Sequence, residues 1–195
     1  MNEQPSGRQA LDRLLQGNRR YVSGEPQRPN QTAARRREVA LEQQPNAIIL
    51  SCSDSRVPPE LIFDQGIGDL FVVRTAGNVV DDVALGSIEY AVLHFHSPLL
   101  LVLGHQRCGA VTAAVQGGEH PGHIGTLIAL IEPAVRATEH EPGSHVNNAV
   151  AANVRGVVHL LASKSEVMHQ TQTSGALMIA AAVYSLDTGK VQILD

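Results

Sequence analysis

The positions of apolar residues divide the chain into a polar amino-terminal part and a longer part in which short apolar runs alternate with amphipathic stretches. Short, almost wholly apolar runs are typical of strands buried on both faces, and apolar residues spaced three and four apart indicate helices. The predicted strands cover residues 47–52, 70–73, 99–103, 176–184 and 191–194. One predicted helix starts at Pro58-Pro59-Glu60, and the others in this part cover residues 82–95, 110–115, 125–138 and 146–164. The alternation predicts an α/β fold with a central, mainly parallel β-sheet flanked by helices.

Residues 1–44 are predicted to form a helical arm that precedes an α/β core over residues 45–195, all within one domain. Leu11, Leu14 and Leu15 make only a narrow apolar stripe on the first helix, and Thr32 can cap a second helix over residues 33–43. A stripe this narrow buries little by itself. We therefore expect the arm to pack on another surface, that of a partner subunit, and the protein to be a homodimer or a higher homo-oligomer.

Composition and charge exclude several kinds of partner. The chain has 15 Lys and Arg against 19 Asp and Glu, a net charge of −4, with no long basic run. This balance argues against nucleic acid and anionic membrane as partners, and no apolar run reaches the roughly 20 residues of a membrane span. Two cysteines cannot build a disulfide framework, and the first residues do not resemble a signal peptide. We expect a cytoplasmic protein with reduced thiols.

Two polar clusters follow two of the predicted strands directly, at residues 52–56 and 104–109. The carboxyl ends of parallel strands lie at the same edge of a sheet, so Cys52, His105 and Cys108 are expected to converge if the two strands are neighbours. Two thiolates and an imidazole favour zinc over Mg²⁺ or Ca²⁺, with one ion for each chain. Three protein ligands leave a fourth position for water, as in catalytic zinc sites, and Asp54 is the candidate for a fourth protein ligand.

The same residues also allow less specific interpretations. The cysteines and histidine could hold zinc in a non-catalytic scaffold, or the two thiols could serve a redox protein. Asp54 and Arg56 could form only a salt bridge within a loop.

Four segments together resemble the β-class carbonic anhydrases. They are CSDSRVP at Cys52–Pro58, GDLFVVRTAGN at Gly68–Asn78, SIEYAV at Ser87–Val92 and LGHQRCGAV at Leu103–Val111. Shorter similarities, GNRRY in the first helix and YSLDTGKV near the end, extend the resemblance over residues 8–195. The pairing of CSDSR with GHxxCGA in this order is highly specific to that family.

The resemblance implies reversible hydration of CO2 to bicarbonate and a proton by zinc-bound hydroxide, with Cys52, His105 and Cys108 as the zinc ligands. It implies an Asp54–Arg56 pair beside the zinc, in which Arg56 keeps Asp54 ionised as a hydrogen-bond acceptor. It also implies active sites at the subunit interface, in a site open to substrate. The substrate-binding residues that it implies are Gln43, Phe71, Gly77 and Tyr90.

Two features qualify the resemblance. A few relatives on this fold hydrolyse CS2 or COS, but their motif around the first cysteine usually departs from CSDSR. Thr75 stands where many relatives have Asn, so hydrogen bonding behind the zinc loop is expected to differ.

Overall fold

A five-stranded sheet forms the centre of the structure, a computed structural model that describes residues 5–195. Its strands are β1 (Ala47–Cys52), β2 (Leu70–Thr75), β3 (Leu99–His105), β4 (Met178–Tyr184) and β5 (Val191–Leu194). The spatial order is β2-β1-β3-β4-β5, and every pair is parallel except β4 with β5. The predicted α/β fold with a mainly parallel sheet is confirmed.

Eight helices surround this sheet in the described part of the chain. They are α1 (Gly7–Ser23), α2 (Ala33–Glu38), α3 (Pro59–Ile62), α4 (Asp82–Phe95), α5 (Gly109–Gln116), α6 (Ile124–Ala137), α7 (His145–Lys164) and α8 (Glu166–Thr173). Residues of α1, α3, α5 and α6 pack in one apolar cluster, while α4, α8 and part of α7 contribute to a second. Within residues 5–195, no helix combines the length and the apolar character needed to span a membrane.

The two central strands, β1 and β3, are buried along their whole length, as their apolar sequences predict. Alternate side chains of each strand enter different apolar clusters: Ile49 and Leu101 belong to one, and Leu50 and Val102 to the other. The carboxyl ends of β1 and β3 are thereby fixed next to each other. The residues that directly follow these strands share one edge of the sheet.

Helix α1 packs against its own chain, which corrects the expectation that its apolar stripe is too narrow to hold it there. Ala10, Leu11 and Leu14 are each only 2% exposed within the single chain. Small residues of α1, Ala10 and Gly17, extend the surface through which the leucines contact the core. At Gly17 the helix comes so close to α3 that an added Cβ would lie 1.8 Å from the carbonyl oxygen of Phe63. Contact of α1 with a partner subunit stays a prediction.

Two other helices differ from the sequence-based expectation. Helix α2 is capped by Thr32 as predicted, but it ends at Glu38 and buries none of its residues. Beyond it, Leu41 is 95% exposed. Helix α8 was not predicted, because Met168 is its one fully buried residue and so little apolar periodicity marks it in the sequence.

Buried polar side chains fasten the arm to the core. Asn18 donates from Nδ2 to the carbonyl oxygens of Ile62 (3.2 Å) and Gly189 (2.8 Å), and its Oδ1 accepts from the amide of Val191 (2.9 Å). Asp64 accepts from Arg20 Nε at 2.6 Å and also from two backbone amides that follow α1. The arm is thus held by hydrogen bonds as well as by apolar contact.

Replacing Asn18 by Ala is expected to lower the free energy of unfolding by about 1–3 kcal/mol, because it leaves buried backbone groups without partners. Urea unfolding followed by circular dichroism measures the effect. Gln16→Ala, at an exposed position of the same helix, serves as the control and should change stability by less than about 0.5 kcal/mol. Equal stability of both variants would contradict the anchoring role.

Candidate metal centre

Cys52, His105 and Cys108 meet at the carboxyl edge of the sheet, as the sequence predicts. Cys52 ends β1, His105 ends β3, and Cys108 is the residue that immediately precedes α5. All three are buried, and their possible ligand atoms lie within 4.8 Å of one another. The two sulfur atoms are 3.9 Å apart. Within residues 5–195 this is the one group of three such side chains whose atoms could hold a metal ion.

Backbone amides stabilise negative charge on both sulfur atoms. Cys52 Sγ accepts from the amides of Asp54 (3.4 Å) and Gly77 (3.3 Å). The amides of Ala110 and Val111, in the first turn of α5, act to lower the pKa of Cys108 against the opposing effects of Cys52 and burial, and the helix dipole there also favours an anion. Each sulfur therefore lies in a site built for a thiolate.

The two cysteines share one proton when no metal is bound. The hydrogen bond from Cys108 is the main reason why the pKa of Cys52 is lowered to about 4, with smaller contributions from His105 and the two backbone amides. The same hydrogen bond raises the pKa of Cys108, and burial adds to that increase. A divalent metal ion would replace the shared proton as the positive charge between the sulfurs.

His105 presents one ring nitrogen to the sulfur atoms. Its Nδ1 lies 2.9 Å from the carbonyl oxygen of Gln106, which requires that Nδ1 carry the proton in the neutral ring. Nε2 then has a free lone pair, and although it is buried it has no hydrogen-bond partner among the described residues. An unpartnered buried nitrogen beside two sulfurs is the arrangement expected of a metal ligand.

Asp54 and Arg56 form an ion pair beside the three ligand candidates. Arg56 donates from Nε to Asp54 Oδ1 at 2.9 Å and from Nη2 to Oδ2 at 2.7 Å. These bonds hold the pKa of Asp54 well below its usual range, so the carboxylate is ionised. Asp54 Oδ2 lies 3.9 Å from His105 Nε2, and both its oxygens are engaged by Arg56. In this arrangement Asp54 lies next to the group of three candidate ligands, and its place as a fourth ligand in a closed state stays a prediction.

Sequence reasoning missed the residues that hold these loops in place. Arg74, on β2, donates to the carbonyl oxygens of Cys52 (2.9 Å) and Asp54 (2.6 Å). Arg107 makes two hydrogen bonds to Asp187 in the turn before β5, at 2.9 and 2.7 Å. An arginine within an otherwise apolar strand was the one available signal for Arg74. For Arg107 the sequence holds no such signal, since its partner is 80 positions away.

The predicted substrate-binding residues fall into two groups within one chain. Gly77 is at the metal centre. Gln43 and Tyr90 line a cavity of about 1310 Å³ whose walls include residues that precede β1, β2 and β3. Phe71 is close to them through Phe95, whose ring lies 5.8 Å from that of Phe71 and 5.6 Å from that of Tyr90. A strand of six residues such as β1 spans about 17 Å, so this second group lies at the opposite end of the sheet from the metal centre.

Thr75, the strand partner of Cys52, stabilises the backbone on either side of the turn that follows β2. Its Oγ1 donates to the carbonyl oxygen of Val79 at 2.6 Å, and its own carbonyl oxygen accepts from the amide of Ser53 at 3.1 Å. The first bond closes the turn at Ala76–Asn78 that carries Gly77.

Fold and site together define an α/β protein with a buried group of two sulfurs and one imidazole that could hold a metal ion, and comparison with known proteins gives the family. The sequence profile of the family described as carbonic anhydrase matches residues 47–191. Carbonic anhydrase 2 of Mycobacterium tuberculosis is 41% identical over 186 residues, which cover 93% of this chain and 90% of that protein. The chain therefore belongs to the carbonic anhydrase family, as its motifs predict.

Solved structures place the fold in the β class. The β-carbonic anhydrase of Coccomyxa, in complex with acetazolamide, is 28% identical with a TM-score of 0.73, over 94% of this chain and 86% of that chain. One of two tetrameric β-carbonic anhydrases from Sordaria macrospora has a TM-score of 0.77 at 21% identity, over 95% of this chain and 97% of its own. At that identity the second likeness shows the fold alone.

Gly77→Ala is expected to destabilise the metal-free protein by about 1–3 kcal/mol, as measured by urea unfolding. Gly77 has a φ of +69°, and an added Cβ would lie 2.7 Å from Ile131 Cδ1. Gly86→Ala is the matched control, because a Cβ there meets nothing within 4 Å inside α4. That control should gain about 0.5–1 kcal/mol from helix propensity. A Gly77→Ala protein as stable as the wild type would contradict the requirement for glycine.

Proposed function

We propose that this chain catalyses the zinc-dependent, reversible hydration of CO2 to bicarbonate and a proton. The single observation that carries the proposal is the buried Cys52, His105 and Cys108 group, in which His105 Nε2 has no hydrogen-bond partner among residues 5–195. Membership of the carbonic anhydrase family supports the reaction. The chemistry of the donor atoms supports the metal.

The three donor atoms fit zinc. Two thiolates bound to one tetrahedral zinc ion, at about 2.3 Å each, would be about 3.8 Å apart. The observed separation of the two sulfurs is 3.9 Å. Two thiolates also neutralise a divalent cation, so the buried site would carry no net charge once both are deprotonated. Oxygen-seeking cations such as Mg²⁺ fit this sulfur-rich set poorly.

Zinc held by these residues would supply the nucleophile, because it lowers the pKa of a water ligand toward neutrality. Asp54 would orient that nucleophile. Its carboxylate accepts hydrogen bonds and cannot donate them at neutral pH, since Arg56 keeps it ionised. Arg74 holds the backbone of Cys52 and Asp54 together, so that the carboxylate keeps its place beside the ligand atoms.

CO2 is small and apolar, so its binding requires a dry wall more than charged contacts. We infer that a partner subunit supplies part of this wall. Gln43 is exposed and Tyr90 is 50% exposed in the single chain, at the end of the sheet far from Cys52. If these residues bind substrate as the family resemblance implies, they must approach the metal centre of another copy. The enzyme is then a homodimer or a larger homo-oligomer, and one solved relative is tetrameric.

A cytoplasmic location fits this chemistry. Cysteines bind metal only when they are reduced, and both cysteines are free in the structure.

Stopped-flow measurement of CO2 hydration, with the metal content determined on the same sample, tests the proposed function. We expect about one zinc per chain and hydration far above the uncatalysed rate. COS and CS2 serve as alternative substrates, and acetazolamide, which the Coccomyxa enzyme binds, serves as an active-site probe. A metal-loaded protein that hydrolyses COS or CS2 but leaves CO2 unchanged would overturn the proposal, as would one that acts on none of them.

Cys108→Ser is expected to lose zinc and CO2 hydration together, because a hydroxyl is a far poorer zinc ligand than a thiolate. Metal analysis after dialysis against a weak chelator gives the zinc content, and stopped-flow gives the rate. Ala113→Ser places the same hydroxymethyl group elsewhere on α5 and should keep both. Full zinc content in the Cys108→Ser protein would rule out this ligand set.

A mixed oligomer tests whether the active site is shared between subunits. Cys108→Ser and Gln43→Ala are each expected to be strongly impaired alone. When both are produced in one cell, half of the dimers combine one chain of each kind, and one of the two sites in such a dimer has both metal ligands and Gln43. About a quarter of wild-type activity is therefore expected to return, by the symmetry of a two-fold dimer.

The unseparated mixture, its two parents and the wild type are compared at equal total chain concentration, and two different affinity tags on the variants verify that mixed dimers have formed. Activity of the mixed dimer no higher than that of the two parents would show that Gln43 does not act across the interface. Full activity of Gln43→Ala alone would remove Gln43 from the substrate site.

A further inference from the structure

The metal centre depends on the backbone turn after β2, whose ends are joined by the hydrogen bond from Thr75 to Val79 but whose central peptides at Gly77 are oriented by other contacts. Ala76–Asn78 follows β2, and within it Gly77 adopts the left-handed conformation with φ +69° and ψ 18°. In this conformation the Gly77 amide faces Cys52 Sγ, to which it donates at 3.3 Å. Because glycine populates several other backbone conformations at similar free energy, the turn must be held by contacts from elsewhere.

Apolar contacts restrict the position of the turn but do not orient its peptide groups. Gly77 lies against Ile131 of α6 and Ala110 of α5, so closely that an added Cβ would lie 2.7 Å from Ile131 Cδ1 and 3.2 Å from Ala110 Cβ. Van der Waals contact of this kind excludes movement toward the helices. It does not prevent rotation of the peptide groups, which would turn the amide away from sulfur.

A hydrogen bond from α7 orients the carbonyl group of Gly77. Asn153 donates from Nδ2 to the carbonyl oxygen of Gly77 at 2.9 Å, across 76 positions of sequence. Asn153 is 4% exposed. Helix α7 lies wholly inside the described range, and Asn153 is the single polar residue among its buried residues. The others are Ala149, Val150, Val154, Val157 and Leu161.

An amide on an otherwise apolar helix face costs free energy unless it is hydrogen-bonded. Here Asn153 Nδ2 donates to the carbonyl oxygen of Gly77. The amide of Gly77, on the other side of its Cα, donates to the Cys52 sulfur. With both ends of Gly77 bonded, its φ and ψ are fixed together.

We propose that Asn153 is a positioning residue of the metal centre: by holding the carbonyl of Gly77, it keeps the Gly77 amide directed at Cys52 Sγ. The inference rests on the proposed zinc function. An amide that donates to a metal-bound thiolate stabilises the negative charge on sulfur and fixes the direction of its remaining lone pairs. Asn153 acts on the metal only through Gly77, since it is not one of the ligand candidates.

The surroundings of Asn153 make the test practical. The residue lines an apolar cavity of about 290 Å³ between α6 and α7, together with Ala134, Gly156 and Val157. Asn153→Leu has nearly the same shape and lacks the donor, and the open cavity can accept its small excess volume. Val157→Ala is the matched control: it removes apolar atoms from the same helix and cavity, one turn away, and touches no hydrogen bond of the turn.

Two measurements separate positioning from simple stability. The first is the dissociation constant for zinc, from competition with a chromophoric chelator. The second is the near-ultraviolet thiolate-to-metal charge-transfer band of protein loaded with Co²⁺. Asn153→Leu is expected to weaken zinc binding about 10-fold, within the range for partners of metal ligands, and to move the charge-transfer band to longer wavelength. Val157→Ala is expected to lower the unfolding midpoint while both metal readouts stay as in the wild type.

An Asn153→Leu protein with the zinc affinity and charge-transfer band of the wild type would overturn the proposal, even if it unfolds more easily. If that variant does not fold, Asn153→Ser, whose hydroxyl is too short to reach the carbonyl, is subject to the same two criteria. The wild type is assayed in parallel. If the wild type binds zinc and hydrates CO2 and the Asn153→Leu protein keeps the same two metal readouts, this inference alone is refuted. Wild-type protein that binds no zinc refutes the proposed function and this inference with it.

Discussion

The burial of two sulfur atoms and one imidazole nitrogen at the ends of two adjacent strands is the constraint on which the rest of the structure depends. Buried polar atoms of this kind require partners: the amides of Asp54 and Gly77 donate to the Cys52 sulfur, and the amides at the start of α5 favour the thiolate of Cys108. Of the three candidate ligand atoms, His105 Nε2 has no hydrogen-bond partner among the described residues, which points to a metal. The sheet, the turn at Ala76–Asn78 and the start of α5 are all positioned to serve these three atoms.

Charged side chains around the site act mainly on the backbone of its loops. Arg74 joins the carbonyl oxygens of Cys52 and Asp54, and Arg107 ties the segment between His105 and Cys108 to the turn before β5. Arg56 has a different role, because its two hydrogen bonds keep Asp54 ionised. The site therefore combines a rigid frame with one carboxylate available to accept hydrogen bonds, which is what activation of a water molecule requires.

In the proposed reaction, the two ends of the sheet would contribute different parts of the active site. The carboxyl end holds the candidate metal ligands, and the amino end holds Gln43 and an aromatic group that includes Tyr90. A sheet of this length keeps them too far apart to act on one small molecule in a single chain. Assembly of copies is the simplest way to bring them together, and the exposed segment after α2 lies beside the second group.

The sequence by itself determined the strands, most helices, the cap at Thr32 and the group of three candidate metal ligands, because each depends on local spacing or on the ends of parallel strands. Only the tertiary structure decided the packing of α1, the roles of Arg74 and Arg107, and the contact from Asn153 to Gly77. The partners in these contacts are 20 to 173 positions apart in the chain. Hydrogen bonds between such distant residues leave no periodic pattern in the sequence, since they depend on how the completed sheet and helices bring the residues together.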